Sequence, residues 1–302
     1  MVSLIMVVKD GMPHLPEAIA SVRRQTSQDF ELIVQDAVST DGSVEVLHRE
    51  LGGQAWASVV SEPDAGVGDA VNRALDRCTG TLVGFIDADN MLEPDAVARV
   101  TEHFATHPEC AVTYSATRMI DEEGRDLSVF RAGPFELTKL LLFELVPPFA
   151  TAFFHREKCG SNLRSDVSLR TCADFDIWLR LSHLSIHEID QALAATRICA
   201  ISRSREASLY ERFCRDKSTA LERFFSQQPD LPVMRSLKRQ AYVGLYLWAA
   251  ESVLELDGPG ERFSHWCDQA AALDPAHRRL NWLRRKGLQR RTQAPVAGIF
   301  SK

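Results

Sequence analysis

Across residues 1 to about 115, short apolar runs alternate with stretches of helical spacing, and this alternation constrains the fold more than any other feature. Leu4 to Val8 is a continuous apolar run, the pattern of a parallel strand buried on both faces. Leu15, Ile19 and Val22 then fall at helical spacing within Leu15 to Arg24. Phe30 to Val34 reads as a second strand, with a helix from Val44 to Leu51. Ala57 to Val60 is followed by a helix from Asp69 to Cys78, which places Val71, Ala74 and Leu75 on one face. Leu82 to Ile86 precedes a helix from Pro94 to His103, and Cys110 to Ser115 reads as a fifth strand. The series predicts an α/β fold, a mostly parallel central sheet flanked by helices. Ligands of such sheets sit beyond the carboxyl ends of the strands. The loops after the first four strands are therefore where chemistry is expected.

The rest of the chain is less regular, then helical. Residues 116 to about 210 hold strand-like pieces, Ala150 to His155 and Ile186 to Glu188, around a helix from Ala173 to Leu181. From about 216, Tyr242, Leu245, Tyr246, Ala249 and Val253 share one helical face, and Phe263, Trp266 and Ala270 begin another helix. Ala270 to Pro275 resembles the end of a tetratricopeptide-type hairpin, but one hairpin is no repeat array. The expected organisation is an α/β domain over 1–215, with halves 1–115 and 116–215, and a C-terminal helical appendage over 216–302.

Composition narrows the partners. A net charge of −6 argues against a nucleic-acid-binding surface. A basic cluster remains near the end: Arg278, Arg279, Arg284, Arg285, Lys286, Arg290 and Arg291. It reads first as a solvated helix face and second as a peripheral contact with an anionic membrane. Seven scattered cysteines, never spaced as CxxC, point to reduced thiols in a cytoplasmic setting, with neither a disulfide framework nor a zinc site. The N-terminus lacks the basic region and cleavage site of a signal peptide. The longest apolar stretch, Leu140 to Phe154, is broken by Glu144 and Pro147-Pro148 and is too short to span a bilayer.

Acids gather in the strand-end loops. Asp87-Ala88-Asp89 follows the fourth strand, and two carboxylates one residue apart repel unless a cation lies between them. A hard divalent ion with oxygen ligands, Mg²⁺ or Mn²⁺, meets that need together with substrate phosphates. Alone, such a pair is also a common turn or cap. After the second strand come Asp36 and the cluster Ser39-Thr40-Asp41. Asp36 could accept hydrogen bonds from a base or ribose, whereas Ser39 and Thr40 read as caps of the next helix. After the third strand, Gly66 and Gly68 permit close approach to a ligand. There Asp69 reads as an N-cap, and Asp64 has no evident structural duty.

Taken in order, these segments resemble the family 2 glycosyltransferases, inverting enzymes of the GT-A fold. Ser3 to Asp10 stands where that family has its first strand and loop. Gln25-Thr26 with Asp29-Phe30-Glu31 matches the approach to the second strand, and Asp36 to Gly42 matches "DGxSTDG". Ser61 to Arg73 matches "SEPDxGxxDAxN(K/R)", Thr79 to Asp89 matches "TGxxxxFxxxD", and Ala173 to Leu181 matches "(E/A)DYDLWLRL". The resemblance covers roughly residues 1 to 210. It implies a nucleotide-sugar-binding half over 1–115 and an acceptor-binding half over 116–215. It further implies that Asp36 and the Val8–Asp10 loop contact the base and ribose, and that Asp64 and Arg73 border the nucleotide pocket. Asp87, Ala88 and Asp89 would face the ribose and the metal–diphosphate, with Mn²⁺ or Mg²⁺ on Asp87 and Asp89. Asp174 would be the general base for an acceptor hydroxyl. The implied partners are a nucleotide-diphosphate sugar, with a UDP-sugar favoured, and a glycan or lipid-linked acceptor in polysaccharide or other glycan assembly.

The sequence departs from the family pattern at three places. Ala37 replaces a second Asp, Lys9 replaces a Tyr that often stacks near the base, and Ala173 replaces a Glu. The last leaves Asp176 as a rival base. Because of Ala173, a catalytically silent nucleotide- or partner-binding relative is the alternative reading. A dinucleotide-dependent oxidoreductase finds little support, since Gly66-Val67-Gly68 lacks a third glycine and follows the wrong strand. His155 and Trp178 read first as structural residues. Arg203 and Arg205 are either diphosphate clamps or surface charges.

Overall fold

The computed structural model describes residues 1–198 and 209–293. Its centre is four parallel strands, β1 (Val2–Val8), β2 (Phe30–Asp36), β3 (Ala57–Ser61) and β4 (Leu82–Phe85). They lie in the order β3-β2-β1-β4. β1 and β4 are buried almost throughout, while edge strand β3 is half-exposed. Helices α1 (Leu15–Arg23), α2 (Ser43–Leu51) and α3 (Val67–Arg77) supply the crossovers. Leu4, Met6, Val8, Leu32 and Val34 share one core with Leu15, Ile19 and Val22 of α1 and Val46, Leu47 and Leu51 of α2. Each such side chain, fully buried, contributes about 1.5–3 kcal/mol against the entropy of ordering the chain.

Beyond β4 the sheet turns mixed. The later strands are β5 (Met91–Leu92), β6 (Val112–Ile120), β7 (Asp126–Phe130), β8 (Phe153–His155) and β9 (Ile186–Arg197). The order continues β8-β6-β9-β5, with β7 beside β6. β8 runs antiparallel to both β4 and β6, and β6 runs parallel to β9. The expected fifth strand is thus β6, begun at Val112 and separated from β4 by the three residues of β8. Gly84 makes that insertion possible: a Cβ on it would overlap the Phe153 ring. Helix α4 (Ala96–Thr106) follows β5, and short helices α5 (Leu137–Leu141) and α6 (Arg156–Cys159) precede α7 (Ala173–Leu181).

The chain divides into two compact units. Of the described residues, 1–136 and 146–198 form the sheet-bearing unit, and 137–145 group with the later helices. Those helices are α8 (Tyr210–Ser226), α9 (Pro232–Leu256), α10 (Glu261–Leu273) and α11 (Arg278–Gln293). Of the expected faces, Leu245, Ala249 and Val253 of α9 and Phe263, Trp266 and Ala270 of α10 are buried, while Tyr242 and Tyr246 are half-buried. Much of the basic cluster on α11 faces acids of its own unit. Arg279 pairs with Glu251, Arg284 with Asp268 at 3.1 Å, and Lys286 with Glu255 at 3.7 Å, while Arg290 donates to the Leu254 carbonyl at 2.6 Å. Among the described residues, no helix is long and apolar enough to cross a membrane.

Candidate active site

Register sets the first corner of the site. Val8 pairs with Asp36 and Asp36 with Ser61, so the three form a row at the carboxyl edge of the sheet. Asp36 is fully buried, and a buried carboxylate needs donors. It accepts hydrogen bonds from the Ser39 amide at 3.1 Å, the Ser39 hydroxyl at 2.5 Å and the Ser61 hydroxyl at 2.6 Å. The loops after β1 and β2 are joined along their length. The Ala37 amide donates to the Val8 carbonyl at 2.9 Å, and the Asp10 amide to the Ser39 hydroxyl at 2.8 Å. Asp10, at φ +51°, accepts from the Thr40 amide at 2.8 Å. Lys9 donates to the carbonyls of Ala37 and Val38 at 3.1 and 3.0 Å.

The capping expectation for Ser39 and Thr40 is corrected here. Gly42, at φ +96°, is the N-cap of α2. Asp41 instead accepts from the Ser43 amide at 3.0 Å and the Ser43 hydroxyl at 2.6 Å. Ser39 and Thr40 instead stitch the two loops together through their bonds with Asp10 and Asp36.

The loop after β3 forms a second corner. Asp64 does have a structural duty, since it accepts from the Gly66 amide at 2.8 Å. Gly66 stands at φ +118°, where a side chain would be strained. Asp69 is not the N-cap expected of it: Gly66 holds that position, and Asp69, in the first turn of α3, accepts from the Ala65 amide at 3.0 Å because the helix begins two residues earlier, at Val67. Arg73 is held between Glu62 at 2.8 Å and Asp69 at 3.0 Å. Asn72 exchanges two hydrogen bonds with the backbone of Ser165, each 2.9 Å long. That pair ties α3 to the segment leading into α7.

The third corner is Asp87-Ala88-Asp89. Ala88 packs on the β1 loop: a Cβ on Gly11 would lie 3.2 Å from the Ala88 Cβ. Asp87 accepts from the Asn90 amide group at 2.8 Å. Asp87 is a solvent-exposed residue, although the protein packed around its carboxyl still weakens its hydration. Burial first, then the charges of Asp89 and Asp174, push its carboxyl up to about 6. Asp87 thus lies within electrostatic reach of both Asp89 and Asp174. Carboxylates gathered around Asp87 suit a hard divalent cation, so the side chains present fit Mn²⁺ or Mg²⁺ on Asp87 and Asp89.

Arg197, the last residue of β9, fixes this loop from behind. Its side chain is 1% exposed. Its backbone amide donates to Asn90 Oδ1 at 2.9 Å, and its guanidinium to the Asp89 carbonyl at 3.2 Å, the Glu122 carbonyl at 2.7 Å and Glu17 at 2.5 Å. Sequence reading missed Arg197 altogether, and its pairing across 107 positions with Asn90 has no local signal.

The two carboxylates of α7 differ in surroundings. Asp176 is 3% exposed and pairs with Arg180, both guanidinium contacts measuring 2.8 Å. Arg180 also donates to the carbonyls of Asn162 and Arg164. Asp174, in the first turn of α7, is half-exposed and bears on Asp87. Trp178 is core, packed against Tyr114, Phe149 and Phe154. His155 packs edge-on to Phe104 at the end of β8. Arg203 and Arg205 lie outside the described residues.

The family model "Glycosyl transferase family 2" matches residues 3–158, a span that ends before Asp174. Chondroitin synthase of Escherichia coli is 27% identical over 186 residues, 61% of this chain but 27% of that protein. A PGL/p-HBAD biosynthesis glycosyltransferase of Mycobacterium tuberculosis is 30% identical over 182 residues, 60% of this chain and 69% of that one. This chain therefore spans only about a quarter of the synthase. Among solved structures, the 1–349 portion of S. aureus TarS in complex with UDP-GlcNAc superimposes with a TM-score of 0.64 at 16% identity, covering 96% of this chain and 88% of that one. Mannosyltransferase PcManGT from Pyrobaculum calidifontis, in complex with GDP-Man and Mn²⁺, gives 0.60 at 16% identity, covering 95% and 79%. At that identity the two structures bear on the fold alone. A family match that spans both the parallel strands and the acid-bearing loops after them shows that the chain belongs to glycosyl transferase family 2, with its GT-A fold.

Proposed function

We propose that the protein transfers a sugar from a nucleotide-diphosphate sugar to an acceptor hydroxyl with inversion, using Asp174 as the general base. The observation that carries this reading is that Asp174, on α7, bears on Asp87 at the end of β4, two residues from Asp89. Val8, Asp10 and Asp36 form the wall for the base and ribose, and Asp64 and Arg73 border the same pocket. Asp87 and Asp89 would hold Mn²⁺ or Mg²⁺. When bound there, the ion neutralises the diphosphate and makes it a better leaving group. Asp174 accepts the hydroxyl proton as the acceptor oxygen bonds to the anomeric carbon. The bond from that carbon to the diphosphate breaks on the opposite face, and the configuration inverts.

Asp176 is a poor base in this reading, because Arg180 already occupies its carboxylate. The donor we favour is a UDP-sugar. The acceptor class is a glycan or a lipid-linked glycan, a reading supported by relatives named for chondroitin and PGL/p-HBAD synthesis. The inward pairing of α11 favours a solvated basic helix over a membrane-docking one.

The test is a panel of UDP- and GDP-sugars assayed for transfer or donor hydrolysis, with Mn²⁺, with Mg²⁺ and with chelator. Turnover should need the cation, and Asp174→Asn should lower kcat at least a hundredfold while donor affinity stays within about threefold, our allowance for a conservative change. Donor binding without turnover in the unaltered protein would sink the catalytic reading and leave a nucleotide-binding relative. Retention of configuration, read by NMR of the product, would remove the assigned role of Asp174.

A further inference from the structure

Three histidines meet near the end of β9 opposite to Arg197. His103 lies in the last turn of α4, His107 caps that helix one turn on, and His187 is the second residue of β9. His103 Nε2 is 3.1 Å from His187 Nδ1. One ring nitrogen from each of the three lies within 4.8 Å of the others, and all three residues are half-buried. The rings of His103 and His107 stack with centroids 4.2 Å apart, and that of His187 stands edge-on to both.

The outer nitrogens already have partners. His107 Nδ1 lies 3.0 Å from the His103 carbonyl, which accepts a hydrogen bond from the Nδ1–H and leaves Nε2 with its lone pair. His187 Nε2 lies 3.0 Å from the Ser185 hydroxyl and 3.6 Å from Glu109. A proton on that atom leaves Nδ1 basic. Metal-binding histidines characteristically have the outer N–H held by a carbonyl or carboxylate while the inner nitrogen ligates. With Zn–N bonds of about 2.0–2.1 Å, two nitrogens of a tetrahedral site stand about 3.4 Å apart. The 3.1 Å between His103 and His187 needs only a small opening to reach that spacing. A simple hydrogen bond would explain this one pair; the His107 ring, stacked on His103, must turn from the stack to bring its nitrogen to the same ion.

We propose that His103, His107 and His187 bind a Zn²⁺ ion, with Glu109 and Ser185 orienting His187 from outside. Three imidazoles favour a borderline ion such as Zn²⁺, whereas the carboxylates Asp87 and Asp89 suit Mg²⁺ or Mn²⁺. Ten residues of strand separate His187 from Arg197, about 33 Å at a rise of about 3.3 Å each, so the two sites do not share ligands. The ion would join α4 to the start of β9, with its fourth position open to water. The proposal stands independently of the reading of the acidic site.

The experiment is equilibrium dialysis of the full chain, without a histidine tag, against Zn²⁺ with excess Mg²⁺ present. One Zn²⁺ per chain is expected. His103→Gln and His107→Gln, checked for fold by circular dichroism, should each lose it, and Asp87→Asn should keep it. His107 caps the helix rather than lying within it, so its variant carries the test if His103→Gln does not fold. Replacement of Zn²⁺ by Co²⁺ should give the visible absorption of a four-coordinate site in the unaltered protein and none in His107→Gln. Glu109→Gln should weaken binding about tenfold or more. The proposal is overturned if the unaltered chain takes up no Zn²⁺, if the ion survives in a folded His103→Gln/His187→Gln double variant, or if Asp87→Asn removes it.

Discussion

Asp87 behaves oppositely to most surface acids. Its carboxyl is raised to about 6 from an ordinary 3.8, so the native state without cation holds a proton that the unfolded chain has already released. Between those values the native state binds more protons, and its stability falls as pH rises. Cation binding needs the ionised form. Mn²⁺ affinity, measured by calorimetry without nucleotide, is expected to climb up to tenfold per pH unit below about 6 and to level off above it. Asp87→Asn should flatten and weaken that profile; a flat profile from the unaltered protein between pH 4.5 and 7, window chosen to bracket the transition, would contradict the arrangement. Asp176 predicts a different outcome. Asp176→Asn removes the partner of the Arg180 guanidinium inside α7 and should cost about 2–3 kcal/mol in denaturant unfolding. In our reading its turnover per folded molecule changes far less than that of Asp174→Asn.

At the scale of elements, the site depends on a strand that the sequence scarcely announces. β9 reads Ile-His-Glu-Ile-Asp-Gln-Ala-Leu-Ala-Ala-Thr-Arg, with polar residues throughout its first half, so only Ile186 to Glu188 stood out as strand-like. Its far end nevertheless holds the Asp87–Asn90 loop through Arg197. Arg197→Gln should leave the Asp89 and Glu122 carbonyls short of donors, cost about 2–4 kcal/mol, and weaken cation and donor binding more than kcat. Unchanged donor affinity in a folded Arg197→Gln variant would show that the loop holds its shape without this anchor. Where apolar runs are buried on both faces, as in β1, β2 and β4, the pattern itself identified the strand and therefore the loop after it. Where a strand is very short or exposed, as in β5 and β7, no such pattern exists, whereas β8 lies within the strand-like Ala150–His155. Asp36, Asp87 and Asp89 were legible as strand-end acids, and Asp174 was legible through its motif on a well-patterned helix. The stitching by Ser39 and Thr40, the Asn72–Ser165 exchange and the histidine cluster all depend on distant pairings. Cysteine spacing, the usual cue for zinc, was silent about three histidines brought together by α4 and β9.

At the scale of the whole molecule, every residue assigned to donor, cation or base lies in the sheet-bearing unit, while the helical unit carries its own core. That separation makes a prediction about what each unit does. Leu280 and Leu283 of α11 are fully buried, and removing either side chain should leave a cavity costing about 2–5 kcal/mol. Ion pairs of α11 at half-exposed positions contribute far less each, so the packing of these leucines, rather than the paired arginines, should govern how the helix holds. Leu283→Ala is therefore expected to lower the unfolding temperature of the helical unit in calorimetry. The affinity for nucleotide sugar, measured well below that temperature, should stay within about twofold, a difference of about 0.4 kcal/mol. Arg284→Ala should move neither quantity appreciably. If Leu283→Ala instead weakened donor binding tenfold while the sheet-bearing unit remained folded, the helices would be part of the binding machinery, and the assignment of the whole donor site to one unit would fail.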